Sequence, residues 1–165
     1  MNDGRTTSRD GTDSGASADQ DVSDHGDGAD DSYVLREELP DPETFARLRE
    51  AAGMPPRSLE GIERGLPNSV FGVLAIHEPT EAVVGMGRIV GDDGTVYQIS
   101  DMAVHPDHQG QGLGTRIMER LEAYIDETAP PNAYVNLMAD VDGFYDRFGY
   151  EETRPASKGM YRRTE

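Results

Sequence analysis

Apolar side chains are nearly missing from the first 32 positions of this chain, where Val22 is the only large aliphatic residue; from Tyr33 onward they recur with two periods. Tyr33-Val-Leu-Arg-Glu-Glu-Leu39 reads as a first strand. Asp41-Pro42-Glu43 opens a helix, with an acid in the cap position and proline behind it, and the pattern holds to about Ala52 before Gly53 and Pro55-Pro56 end it. A short second helix is expected over 58–64. Three β-type runs follow at 69–77, 82–90 and 95–104; Glu78-Pro79-Thr80 and Gly91-Asp92-Asp93-Gly94 join them with turn chemistry, which predicts an antiparallel meander. Leu113, Ile117, Leu121 and Ile125 lie on one face of a helix expected over 112–128. A short strand over 133–139, a short helix over 140–148 ended by Gly149, and a closing hairpin across 150–163 complete the pattern. The expected fold class is α/β, a mixed sheet in which antiparallel N-terminal strands precede a β-α-β-α-β run, with helices on both sides.

Composition divides the chain at the same place. Residues 1–32 carry nine Asp against two Arg, a net charge of −7, and cannot bury enough apolar area to offset the entropy of ordering. They are expected to form a disordered acidic tail in front of one domain over 33–165. The whole chain has 32 acidic and 15 basic residues, a net charge of −17, which argues against binding nucleic-acid phosphates or an anionic membrane surface. With no cysteine, thiolate metal sites and thiol nucleophiles are excluded. No apolar run approaches a membrane span, and the first residues do not resemble a signal peptide, so a soluble cytoplasmic protein is expected. Fourteen of the fifteen basic residues are Arg, and that bias with the acidic surplus predicts adaptation to concentrated salt. Unfolding in molar KCl as readily as in dilute buffer would contradict this.

The informative stretch is Ile99-Ser-Asp-Met-Ala-Val-His-Pro-Asp-His-Gln-Gly-Gln-Gly-Leu-Gly-Thr-Arg116. A strand, a proline turn and a glycine-rich loop run directly into an amphipathic helix. Unpaired amides at a helix N-terminus, with no Cβ on the glycines to block approach, are suited to a phosphate group. The spacing of Gly110, Gly112 and Gly114 matches neither the nucleotide-triphosphate P-loop nor the dinucleotide fingerprint. On the glycines alone, a tightly packed helix entry explains the segment equally well.

Gln109-Gly110-Gln111-Gly112-Leu113-Gly114 resembles the Q/R-x-x-G-x-G/A pyrophosphate loop of the GNAT superfamily of acyl-CoA-dependent N-acyltransferases. Asp101-Met-Ala-Val-His-Pro106 resembles the strand before that loop, and Phe144-Tyr145-Asp146-Arg147-Phe148-Gly149-Tyr150 resembles the family's late F-Y-x-x-x-G-F segment, about thirty-five residues on. Ser157-Lys-Gly-Met160 is similar to the tail of a subgroup that includes arylalkylamine acetyltransferases. The resemblance implies a splay between strands 4 and 5 that holds acetyl-CoA, the amides of Gln109, Gly110, Gln111, Gly112, Leu113 and Gly114, with Thr115, on its pyrophosphate, and Arg147 or Arg116 nearby. It implies that the edge of Met102, Ala103 and Val104 pairs with the pantetheine arm, with an amide near Met102 facing the thioester oxygen. Tyr145 would protonate the departing thiolate.

Asp101, a charge within an apolar strand end, is the candidate base, with substrate binding or loop capping as its alternative. Strict alternation sets it on the face opposite Ser100 and Met102 unless a bulge re-aims it. Gln98, Ser100 and Asn136, with Tyr134, are candidates to line the acceptor pocket. His105 and His108 flank Pro106 without a third ligand and read as turn residues, so no metal is expected. The implied activity is acetyl transfer from acetyl-CoA to a primary amine, small or peptidic, in a ternary complex. The acidic surroundings favour a cationic acceptor, although salt adaptation would supply the same carboxylates. The alternative is a catalytically idle acyl-CoA-binding module; a nucleotide-binding domain lacks the phosphate-contacting lysine. A homodimer is possible.

Overall fold

The computed structural model describes residues 32–164. Apart from Ser32, the acidic segment 1–32 lies outside the described residues. Strands β1 (Tyr33–Arg36), β2 (Phe71–His77), β3 (Ala82–Gly91), β4 (Val96–Val104) and β5 (Tyr134–Leu137) form one sheet in sequence order. The first four pair antiparallel, whereas β4 and β5 are parallel and are joined by the long helix α3 (Leu113–Thr128). Helices α1 (Pro42–Ala51) and α2 (Leu59–Gly65) occupy the connection from β1 to β2. Both start where short polar side chains satisfy an otherwise unpaired amide: Asp41 accepts from the Thr44 amide at 2.9 Å and Ser58 from the Gly61 amide at 3.1 Å.

The sheet is covered on both faces, and each face has its own core. On one side Leu113, Ile117, Met118, Leu121 and Ile125 of α3 are buried against Val73, Ile89, Tyr97 and Ile99. On the other, Phe45 and Leu48 of α1 and Ile62 of α2 pack with Leu74, Ile76, Met86 and Ala103. The mixed fold class expected from the pattern is therefore the observed one.

Two features of β4 position the site. Its pairing with β5 covers only Val96–Ile99 against Tyr134–Leu137, so beyond Ile99 the strand has no β5 partner. On its other side the register with β3 slips: Met86 faces Ala103 and Arg88 faces Ser100, leaving Asp101 and Met102 opposite Gly87 alone. This is a β-bulge, and Asp101 adopts the left-handed conformation at φ 55°. Glycine is needed opposite it, since a Cβ on Gly87 would lie 2.5 Å from Met102 Sδ and 2.8 Å from Ile117 Cγ2.

Three segments differ from the sequence expectation. β1 ends at Arg36, and Leu39 instead lies over Gly72, where a Cβ would meet its Cδ2 at 2.5 Å. Residues 140–148 form turns and a single 3₁₀ turn at Asp146–Phe148, because Gly143 takes φ +71° and interrupts the helical pattern. The closing hairpin is absent: no strand occurs over 150–164, where nearly every side chain is exposed and Glu151-Glu152-Thr153-Arg154 offers no apolar face to bury.

Candidate active site

Between the end of β4 and α3, the chain makes a 3₁₀ turn at Pro106–His108 and then the glycine loop. Gly110 and Gly112 take φ +76° and +72°, and a Cβ built on either meets nothing within 4 Å. The glycines are therefore required by backbone conformation, and the space above them is open. From Gly110 through Thr115 no amide donates to another group among the described residues; the first helical bond at this end is Arg116 N–H to Gly112 O at 3.1 Å. Gly112 brings no capping side chain, and the first turn of α3 holds no acidic residue. Six unpaired donors at the positive end of a sixteen-residue helix form an anion cradle that the described residues leave unfilled.

Cationic and polar groups border the cradle. The Arg147 guanidinium reaches Thr115 Oγ1 at 3.4 Å, donates to the Phe144 carbonyl at 3.2 Å and lies over the Phe144 ring at 5.0 Å. Gln109 Nε2 donates to the Val104 carbonyl at 3.0 Å, fixing the loop to the strand end. Because the His105 amide turns toward β3, donating to Val84 O at 2.7 Å, alternation turns the Val104 backbone groups toward the gap left by β5. Together the free amides, the open strand edge and Arg147 fit an elongated ligand that carries a diphosphate at one end. Arg116, the other candidate cation, is committed elsewhere: it donates to the Tyr33 carbonyl at 3.1 Å and ties β1 to α3.

Tyr145 is buried at 8 % exposure in the core beneath α3, edge-on to Phe144 at 4.9 Å, and its hydroxyl has no partner among the described residues. Burial, reinforced by the Asp140 carboxylate, holds its pKa above the ordinary phenol value of 10.0, so it remains protonated at neutral pH. It also borders a cavity of about 1260 Å³ between β5 and residues 138–159. That cavity includes no residue of β4 or of the glycine loop; it is the space the absent hairpin leaves beside β5.

The bulge gives β4 two chemically different faces. Tyr97, Ile99, Met102 and Val104 pack toward α3, whereas Asp101 and Ala103 face the α1 side, the side that alternation also assigns to Gln98 and Ser100. Asp101 is thus re-aimed onto the face of Ser100, and its side chain is 6 % exposed. One carboxylate oxygen binds Arg49 Nη1 and the other binds Arg88 Nε at 2.6 Å. Arg88 also donates to Ser69 Oγ at 2.9 Å, and Arg49 to the Pro55 carbonyl at 2.8 Å. Burial lowers the Arg49 pKa and the Asp101 charge opposes that shift. Arg49 was not singled out in the sequence. It could have been: it shares the buried stripe of α1 with Phe45 and Leu48, and an arginine there requires a buried acceptor.

The remaining candidates are dispersed. Asn136 sits on β5 opposite Gln98 and donates to the Tyr97 carbonyl at 3.3 Å, clasping the short parallel ladder. His108 pairs with the Tyr33 hydroxyl at 2.9 Å, and its ring is 5.9 Å from that of His105. No cluster among the described residues could hold a metal ion, and none of their helices is long and apolar enough to cross a membrane.

Comparison with known proteins agrees with this geometry. A family model described as an acetyltransferase (GNAT) domain matches residues 68–152. A probable acetyltransferase of unknown function from meticillin-resistant Staphylococcus aureus is 40 % identical, with TM-score 0.75 over 80 % of this chain and 99 % of that one. An uncharacterized N-acetyltransferase of Porphyra purpurea is 26 % identical over 117 residues, 70 % of this chain and 67 % of that protein. A GNAT family acetyltransferase from Brucella melitensis, crystallised in complex with acetyl-CoA, shares the fold at 20 % identity and TM-score 0.55, over 73 % of this chain and 83 % of that one. The match stands at the level of the GNAT domain, and nothing in it singles out an arylalkylamine subgroup. With the family model covering half its length, this chain belongs to the GNAT acetyltransferases, enzymes that use acetyl-CoA as acyl donor.

Proposed function

We propose that this protein transfers the acetyl group of acetyl-CoA to a primary amine by direct attack in a ternary complex. The observation that carries the reading is the row of unpaired amides from Gly110 to Thr115, beside a strand edge that β5 has left open. In this reading the amides of Gly110, Gln111, Gly112, Leu113, Gly114 and Thr115 hold the diphosphate, with Arg147 at the rim and Gln109 fixing the loop to β4. The open edge of Met102, Ala103 and Val104 offers backbone groups to the pantetheine arm, and an amide at the bulge faces the oxygen on which charge develops, an arrangement worth about 3 kcal/mol. Acetyl-CoA supplies a thioester that an amine can attack.

Tyr145 keeps its proton at neutral pH and has no competing partner among the described residues, so it is the donor for the leaving sulfur. Asp101 is engaged by two guanidiniums, and we assign it a positioning role, holding Arg88 and the bulge, rather than that of base. The amine then loses its proton to water at the mouth of the gap. Gln98 and Ser100, on the Asp101 face of β4, border the approach of the acceptor. Thiol release with a panel of primary amines tests the reading. Tyr145→Phe should lower kcat about 100-fold while the acetyl-CoA Kd changes less than about twofold. Binding of acetyl-CoA without thiol release from any amine would instead favour the idle binding module.

A further inference from the structure

Beside the bulge, on the face of the sheet away from the glycine loop's helix, lies a second concavity of about 210 Å³. Phe45, Ile62 and Leu66 form its apolar wall, and Arg57, Ser58 and Arg88 supply its polar groups. None of its lining residues is acidic, although the chain as a whole carries −17.

The surrounding charge does not balance. Arg49, Arg57 and Arg88 lie close enough for their charges to oppose one another, and among the described residues the one carboxylate bonded to the group is Asp101. Asp101 spends both oxygens on Arg49 and Arg88, leaving none for Arg57, which has no hydrogen-bonded or ionic partner among the described residues. Arg49 is 5 % exposed, and its Nε is buried without an acceptor among the described residues. Arg88 uses Nε and Nη1 on Asp101 and Ser69, while its Nη2 has no bonded partner among the described residues. Arg49 and Arg88 exceed the carboxylate between them by one largely buried charge, which is costly unless an anion completes it, and the exposed Arg57 adds a second cation to the lining.

We propose that this pocket selects the acceptor: the amine also carries an oxyanion, a carboxylate or phosphate, which Arg57 and Arg88 bind while Phe45, Ile62 and Leu66 hold the carbon segment joining it to the amine. The inference rests on the acetyltransferase reading above and names the substrate class of that same site. It reverses the cationic acceptor expected from overall acidity, because the local lining and the net charge have opposite signs. Its physical link to the chemistry is Arg88, which touches both the pocket and the bulge residue Asp101. The volume lies below the usual range for drug-sized ligands, so it suits a small molecule.

The test compares ω-amino carboxylates of increasing length, their carboxamides, aminoalkyl phosphates and linear diamines as acceptors, with acetyl-CoA affinity measured separately by calorimetry. The carboxylate or the phosphate series should exceed the carboxamides of matched length in kcat/KM by at least about tenfold, the effect of one charge-assisted hydrogen bond. Which of the two leads identifies the oxyanion. Arg57→Ala, an exposed change that leaves the core intact, should raise KM for the anionic acceptors and reduce that preference to near unity, with kcat and the acetyl-CoA Kd little changed. Carboxamides or diamines used as well as the anionic amines would overturn the proposal. If acetyl-CoA binds but no amine is acetylated, the acetyltransferase reading fails first. Calorimetry of the ω-amino carboxylates and aminoalkyl phosphates then decides the pocket alone: binding lost in Arg57→Ala upholds it, and no binding overturns it.

Discussion

The two faces of β4 carry different loads. Toward α3, Tyr97, Ile99, Met102 and Val104 contribute apolar packing to the core that also holds Tyr145. Toward α1, Asp101 with Arg49 and Arg88 forms a buried charged cluster, and Ser100 lies on the same side. One extra residue opposite Gly87 is what separates them: without the bulge, Asp101 would point into the α3 core and Met102 toward the arginines. The lesson is that a local slip in register against β3 places the charged cluster on the α1 face, while the open strand edge follows from the shortness of β5 on the other side.

Breaking the cluster should give the largest effect. Asp101→Ala leaves Arg49 buried without its counter-charge and should cost about 3–5 kcal/mol in urea unfolding, and Asp101→Asn, which keeps the volume but also removes the charge and turns an amide donor toward a guanidinium, should cost about as much. A clearly smaller loss in Asp101→Asn would show that the bulge depends on the side chain's volume and not on its charge. A smaller effect is expected at the loop. Gly112→Ala meets no steric obstacle, so its cost of about 1–2 kcal/mol should come from the left-handed backbone alone and appear as weaker acetyl-CoA binding with unchanged core stability at α1.

The smallest effect concerns Glu122 of α3, at the cavity beside β5. Burial raises the Glu122 carboxyl pKa above its ordinary 4.5, against the hydrogen bond it accepts from the Tyr150 hydroxyl at 2.6 Å. A raised folded-state pKa means stability present below 4.5 and lost as pH rises through the folded value. Glu122→Gln should therefore flatten the decline in melting temperature with rising pH above 4.5. An unchanged slope would show that other groups set it.

Legibility followed the range of the interactions. Helix α3 was readable because Leu113, Ile117, Leu121 and Ile125 carry their period locally, and α1 because Asp41 and Pro42 mark its start. The glycine loop was legible because the conformations at Gly110 and Gly112 are intrinsic to those residues. The orientation of Asp101 was not. It depends on register against β3, a non-local property whose sequence trace is only a glycine at 87 and a charge in a strand. The partner of Arg49 is equally non-local, 52 positions away, and only the place of Arg49 on the stripe of α1 with Phe45 and Leu48 marks it in the sequence. The final segment misled because Tyr150, Met160 and Tyr161 resemble strand residues, yet Met160 and Tyr161 are left exposed and only Tyr150 is drawn inward, to Glu122.

The amide cradle can be tested without any turnover. In a ¹⁵N-labelled sample titrated with acetyl-CoA and, separately, with S-acetylpantetheine, which lacks the diphosphate, the amide resonances of residues 110–115 should move strongly with the first ligand and little with the second. Both ligands should move Met102 and Val104. Shifts confined to residues 138–159 around the cavity beside β5, with 110–115 unmoved by acetyl-CoA, would contradict the account.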